Sequence, residues 1–201
     1  MDWFYYENLY NDNGNKFVCG IDEAGRGPLA GPVYAAAVIL PPNTIIDGVN
    51  DSKKISEKKR EYLFDIIKEK SLCFNISFAT VEEIDKINIL NATFLAMKRA
   101  FDGLKKSPDF ALIDGNRVPT LGIPTVAIVK GDSLSESIAC ASILAKVERD
   151  RFMKKESEKY PEYFFEKHKG YGTKIHIEAL KKYGPCRIHR RTFLRKILSN
   201  E

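Results

Sequence analysis

The sequence predicts an α/β fold, a mixed β-sheet flanked by helices with a helical C-terminal extension, on three observations. Five short apolar runs have the length of strands. The first two have little between them, whereas the later two alternate with long helical patterns. Helical periodicity then continues past Pro161, beyond the last of these runs.

Taken in order, residues 17–21 and 33–40 are apolar and uncharged, the second run stopped by Pro41-Pro42, and both read as buried strands. Ser56 can cap a helix running to about Lys70, with Tyr62, Leu63, Ile66 and Ile67 on its inner face. Residues 72–79 alternate Leu72, Phe74, Ile76 and Phe78 with smaller or polar residues, a strand with one dominant apolar face. Residues 81–106 are helical with a break near 88–91. Strands follow at 110–113, ending on Asp114-Gly115, and at 124–129, ending on Lys130-Gly131-Asp132. Residues 134–159 form a helix whose first half is rich in Ala and Ser, which permits close packing on a sheet; Pro161 ends it. Gly170-Tyr171-Gly172 is a loop, Thr173 caps a helix to Tyr183 that Gly184-Pro185 terminates, and residues 192–198 form a last short helix. The expected organisation is an N-terminal extension (1–16), a main domain (17–160) and a helical region of the same domain (161–201).

Composition narrows the function classes. The chain has 201 residues, 44% of them apolar, enough for one real core. Lys and Arg outnumber Asp and Glu by 32 to 27, a net charge of +5 that permits a nucleic-acid partner without requiring one. Cys19, Cys73, Cys140 and Cys186 lie far apart with no CxxC pair, so reduced thiols of a cytoplasmic protein are expected. His168, His176 and His189 make no zinc spacing with them. No apolar run looks like a membrane span, and residues 1–7 lack the basic flank of a signal peptide. A cytoplasmic monomer without an obligate protein partner is expected.

The chemistry begins with a repetition. Three apolar strands each finish at an acid beside a glycine: Ile21-Asp22-Glu23-Ala24-Gly25, Ile113-Asp114-Gly115 and Val129-Lys130-Gly131-Asp132. Neighbouring strands lie ~5 Å apart, so aligned ends bring four carboxylates together. Like charges in such a site raise each other's pKa, and a divalent cation removes the conflict. All-oxygen donors and no Cys/His set indicate Mg²⁺ or Mn²⁺. Two ions ~3.5–4 Å apart suit an in-line phosphoryl displacement. Taken singly, Asp132 also reads as a helix N-cap and Asp114-Gly115 as a turn; the cluster rests on the three occurring together.

Gly25-Arg26-Gly27-Pro28-Leu29-Ala30-Gly31-Pro32 follows the first acid pair. Glycines expose backbone donors and Arg26 adds a forked cation suited to phosphate, although a tight turn with a surface arginine fits as well. Neither G-x-x-x-x-G-K-[ST] nor G-x-G-x-x-G is present, which argues against a nucleotide cofactor.

The stretch from Cys19 to Val33, Cys-Gly-Ile-Asp-Glu-Ala-Gly-Arg-Gly-Pro-Leu-Ala-Gly-Pro-Val, resembles the signature of ribonuclease HII. Asp51-Ser52-Lys53-Lys54, Leu112-Ile113-Asp114-Gly115-Asn116, Lys130-Gly131-Asp132 with Ser137-Ile138-Ala139-Cys140-Ala141-Ser142-Ile143 and Ala145-Lys146-Val147-x-Arg149-Asp150, His168-Lys169-Gly170-Tyr171-Gly172-Thr173-Lys174-x-His176, and His189-Arg190-Arg191-Thr192-Phe193 resemble that family's later motifs, in its order. The likeness spans residues 17–195; Cys140 and Thr192 stand where alanine and serine are common.

The resemblance implies a ribonuclease H-like sheet and an endonuclease that cuts RNA–DNA hybrids and single ribonucleotides in duplex DNA, leaving 3′-hydroxyl and 5′-phosphate. It implies Asp22, Glu23, Asp114 and Asp132 as the catalytic acids holding two divalent ions, with the C-terminal region helping to bind substrate. Gly25, Arg26 and Gly27 would recognise the ribonucleotide, whose 2′-hydroxyl separates RNA from DNA. Tyr171 would pack on the following sugar and favour deoxyribose. Lys53, Lys146, Lys169 and Arg190 are candidate phosphate contacts, as are Lys54 and Lys167; Arg190 and Arg191 read equally as helix-end partners. His168 and His189 read as structural or phosphate-side. Ribonuclease HIII shares the acids but carries an extra N-terminal domain, for which the sixteen residues before the first strand are too few. A non-catalytic nucleic-acid-binding module would give the acids no role.

Overall fold

The computed structural model describes residues 3–11 and 17–198. Five strands form one sheet in the order β3-β2-β1-β4-β5: β1 Val18–Ala24, β2 Val33–Ile39, β3 Cys73–Ala79, β4 Phe110–Asp114 and β5 Thr125–Ile128. The first three are antiparallel, from Cys19↔Ile39 to Ala24↔Tyr34 and from Val33↔Ala79 to Ile39↔Cys73. β4 runs parallel to β1 (Ile21↔Ile113) and β5 parallel to β4 (Asp114↔Ile128). The ends of β1, β4 and β5 therefore open on one edge of the sheet, as the mixed-sheet expectation requires.

Period-two alternation decides which helix covers which face. Val33, Ala35, Ala37 and Ile39 of β2 meet α3 (Val81–Asp102) through Ala92, Ala96, Met97 and Ala100. Ala36 and Val38 point the other way, into Leu63, Phe64 and Ile67 of α2 (Glu57–Lys70) and the small residues of α4 (Glu136–Lys159). A Cβ at Gly20 would stand 2.3 Å from the backbone carbon of Ser137, so glycine is what lets α4 start against β1. A third cluster joins Met153 of α4 and Ala30 to Tyr163, Phe165, Leu180, Ile188 and Leu194, which ties the C-terminal helices α5 (Phe165–His168), α6 (Lys174–Tyr183) and α7 (Arg191–Leu198) to the main layer.

Several expectations hold with small shifts. Ser56 caps α2 by accepting from Lys59 N, and Thr173 caps α6 by accepting from His176 N. The break in α3 is at Asn88, with φ 67° and ψ 165°; its side chain accepts from Asn91 N and restarts the helix. The terminal helix begins with Arg191 N and Thr192 N donating to Asp85.

Three expectations need correction. β1 does not end before the acids but runs through Asp22 and Glu23 to Ala24, because Glu23 and Ala24 still pair with Ala35 and Tyr34. β3 is an edge strand whose apolar side is only partly covered: Phe74 and Ile76 are half-buried and Phe78 is exposed, while Cys73 and Ala79 on the other side belong to the core. The N-terminal extension holds a helix, α1 (Tyr5–Asn11), whose Glu7 is buried and accepts from Ser135 Oγ (2.6 Å) and Ser137 Oγ (2.7 Å). The four cysteines are unpaired. Among the described residues no helix is long and apolar enough to cross a membrane.

Candidate active site

Parallel pairing of β1 with β4 brings Asp22 beside Asp114, one residue beyond the Ile21↔Ile113 pair. Asp132 comes from a 3₁₀ turn, Gly131–Ser133, between β5 and α4. That turn follows Lys130 in the left-handed region (φ 59°), and Asp132 N donates to Asp114 Oδ1 at 3.4 Å. Asp22, Asp114 and Asp132 each offer an oxygen, and these lie within 4.8 Å of one another. Asp22 and Asp132 are only 3% and 5% exposed. Glu23, the next residue of β1, points from the other side of the strand; its Oε1 accepts from Arg26 at 3.3 Å, and it stands outside the three-acid group.

The electrostatics are those of an anionic site short of cations. Burial raises the Asp22 carboxyl well above its usual range, and Glu23 and Asp114 raise it further, against a hydrogen bond from Ser142. Burial also raises Glu23; Arg26 opposes this and Asp114 adds to it. Asp132 is raised by burial, then by Asp114 and Asp51. The nearest ammonium is Lys53, 3.6 Å from Asp132. Burial lowers the Lys53 pKa, but Asp22, Asp132, Asp51 and Asp114 outweigh that and raise it. Convergent carboxylate oxygens with no sulfur or imidazole among them suit a hard divalent cation.

Other parts of the site are less obvious in sequence. Ser142 of α4 sits beside Asp22 and is bonded to Ser52 (Oγ to Oγ 2.9 Å), so the Asp51–Lys54 loop is tied to the acids. Lys54 N donates to Asp51 O (2.9 Å), which folds that loop into a turn. Both serines fall inside quoted motifs, but their chemistry gives no local signal.

A groove leads from the acids past Gly25, Arg26 and Gly27 to Lys53, Lys146 and Tyr171. Tyr171 is 46% exposed, and a Cβ on Gly27 would touch its ring at 3.6 Å. The expected site residues thus gather, with three exceptions. Lys146 lines the groove but donates to Asp150 at 2.6 Å. Lys169 is buried, with its ammonium on the carbonyl of Glu166 and 3.8 Å from Glu57, so it does not face the groove. Arg190 corrects its expected phosphate contact most clearly: it is fully buried and donates to the carbonyls of Gly31 (2.8 Å), Arg26 (2.9 Å) and Gly25 (2.5 Å). Its guanidinium serves the loop from beneath.

The histidines form a buried network behind Tyr171. Cys186 N donates to His189 Nδ1 (2.9 Å), which leaves the His189 proton on Nε2, 3.0 Å from His176 Nε2. His176 must then carry its proton on Nδ1, which donates to the Tyr171 carbonyl at 2.9 Å. The ring of His168 stacks on that of His176, centroids 4.5 Å apart.

The family model described as Ribonuclease HII matches residues 19–196. A protein of Caldicellulosiruptor bescii named Ribonuclease HII is 58% identical over 198 residues, covering 98% of this chain and 96% of the relative. One of Clostridioides difficile with the same name is 56% identical over 193 residues, covering 96% of this chain and 76% of its own. Among solved structures, the ribonuclease H2 of Pyrococcus horikoshii superposes with a TM-score of 0.76 at 30% identity, covering 91% of this chain and 97% of that one.

Proposed function

The chain belongs to the ribonuclease HII family and is a metal-dependent endoribonuclease, and on that premise we propose that it cuts 5′ of ribonucleotides, both in RNA–DNA hybrids and where one ribonucleotide is embedded in duplex DNA. The observation that carries the reading is the convergence of Asp22, Asp114 and Asp132 oxygens within 4.8 Å, at the head of a groove floored by the Gly25-Arg26-Gly27 loop and walled by Tyr171.

Asp22, Glu23, Asp114 and Asp132 would hold two divalent ions, Mg²⁺ or Mn²⁺. When bound, such a pair activates water and stabilises the departing oxygen of an in-line displacement. The P–O3′ bond breaks, the upstream strand leaves with a 3′-hydroxyl, and the phosphate stays on the ribonucleotide. Everything else falls to the chain. Arg26 and the backbone of Gly25 and Gly27 meet the ribonucleotide, whose 2′-hydroxyl is both donor and acceptor. The exposed Tyr171 ring offers a flat apolar face to the next sugar, where a second hydroxyl would be left unsatisfied. Lys53, with an exposed side chain, offers an ammonium to backbone phosphate beside Asp132.

The test is a duplex carrying one ribonucleotide. Nicking on its 5′ side in Mg²⁺ or Mn²⁺, and none in EDTA, is expected. Asp114→Asn should keep duplex binding and lose cutting by at least ~10³-fold, the scale on which catalysis falls when stabilisation of the displacement is removed. A protein that cuts long hybrids but ignores the single ribonucleotide, or an Asp114→Asn variant that still cuts, overturns the reading.

A further inference from the structure

Two arginines lie buried under the loop that follows Glu23, and among the described residues neither forms an ion pair with a carboxylate. Arg149, 1% exposed, donates from Nε to Pro32 O (3.2 Å), from Nη1 to Lys169 O (3.0 Å) and from Nη2 to Ala30 O (3.1 Å). Arg190 takes the carbonyls of Gly31, Arg26 and Gly25. Six carbonyls, five of them in one loop, thus turn toward two guanidinium groups. A Cβ on Gly25 would fall 2.0 Å from Arg149 Nε, and Gly25 itself has φ +100°, so the loop is shaped around this arginine.

The peptide unit is planar and trans here, so a carbonyl facing inward makes the N–H of the next residue face outward. With Gly25 O and Arg26 O held by Arg190, the N–H groups of Arg26 and Gly27 point away from that arginine, in a loop that lines the groove. Among the described residues neither N–H has a backbone partner outside regular helices and strands. Burial and mutual repulsion both disfavour two buried cations, as the lowered pKa of Arg190 records, from burial first and Arg149 second. Such an arrangement suits a site whose ligand supplies the negative charge.

We propose that Arg149 and Arg190 are positioning residues of the substrate loop: Arg190 aims the Arg26 and Gly27 N–H groups at the ribonucleotide, Arg149 fixes the Ala30 and Pro32 end of the loop, and together they hold positive potential under its phosphate without touching it. This rests on the reading of residues 25–27 as the ribonucleotide-binding loop, and the experiment separates the two.

In an Asp114→Asn background, which holds cutting off, affinity is measured for a duplex with one ribonucleotide and for the same duplex in DNA alone. Arg190→Lys keeps the charge and loses the fork. It should reduce the preference for the ribonucleotide duplex at least tenfold while changing the all-DNA affinity less than twofold; a merely structural defect would weaken both alike. Manganese binding to the acid cluster, followed by calorimetry before Asp114 is replaced, should stay within twofold. Gly27→Pro, which removes one of the two N–H donors, is read in the same titrations and tests the loop itself. If Gly27→Pro loses the preference and Arg190→Lys keeps it, the positioning role is overturned and the loop reading stands. If both keep it, the loop reading falls and takes the inference with it. Should Arg190→Lys fail to give a wild-type melting curve, Arg149→Lys decides by the same criteria.

Discussion

At the scale of single residues, His176 shows how far a local role depends on partners the sequence hides. Its Nδ1 proton is committed to the Tyr171 carbonyl and its Nε2 accepts from His189, so a second proton on either ring would set two donors face to face. Burial pushes His176 down to about 4 and, with the His176 ring, His189 down to about 3. The rings are neutral when folded, and the unfolded chain takes up protons below about 6.5. Their contribution to stability is therefore complete above pH 6.5 and is lost as pH falls toward 4. Glu136, raised to about 7 by burial and then Glu7, acts with the opposite sign, so the histidine effect is read by difference. NMR titration should find His176 and His189 uncharged at pH 5.5, and His189→Gln should show a shallower decline of Tm than the parent between pH 6.5 and 4. Two rings that titrate near 6.5 would contradict this bonding pattern. Of the candidate site, the gathering of Asp22, Asp114 and Asp132 was legible, because an apolar run leads up to each, and the Gly25-Arg26-Gly27 loop follows the first of them. Arg149 and Arg190 were not legible as supports: in sequence, an arginine in a helix or beside another arginine reads as a surface charge, and only tertiary contacts put six carbonyls around the pair.

Among the elements, those with strong periodicity or a capping side chain fell where sequence placed them, as α2 behind Ser56 and α6 behind Thr173 show. The errors lie where pairing, not pattern, sets the limit. β1 extends through two carboxylates because β2 continues to pair with it, and α1 escaped notice because Glu7 finds its partners about 130 residues away. The interruption of α3 was legible in its Asn-rich stretch, and its geometry makes a test. Asn88 occupies φ 67°, ψ 165°, a region that side chains avoid, and its Oδ1 caps the second half of the helix. Asn88→Ala should cost about 0.5–2 kcal/mol through the lost cap, a drop of a few degrees in Tm. An unchanged Tm would mean that the Asn88 cap contributes nothing to the second half of the helix.

Over the whole molecule, the mild excess of positive charge becomes meaningful only once side chains are placed. Exposed Lys53 and Arg26 border the groove, whereas Lys169 and Arg190 are spent internally. Each direct phosphate contact adds about 0.9 to the slope of log affinity against log salt. Lys53→Ala should reduce that slope by about that amount and Lys169→Ala should leave it unchanged, measured by titration at several salt concentrations. The reverse pattern would relocate the phosphate track. The fold class was legible because strand and helix periods differ; the placement of charge was not, since composition does not distinguish an ammonium in water from one tied to a carbonyl.

The bond between Arg190 and Gly25 joins residues 165 positions apart. Closing so long a segment requires nearly all of the chain to be present first. Residues up to the end of α4 supply the three clustered aspartates, whereas the guanidinium that takes the Gly25, Arg26 and Gly31 carbonyls is added only at Arg190, so a nascent chain halted between those points would carry its acids without that support for the loop.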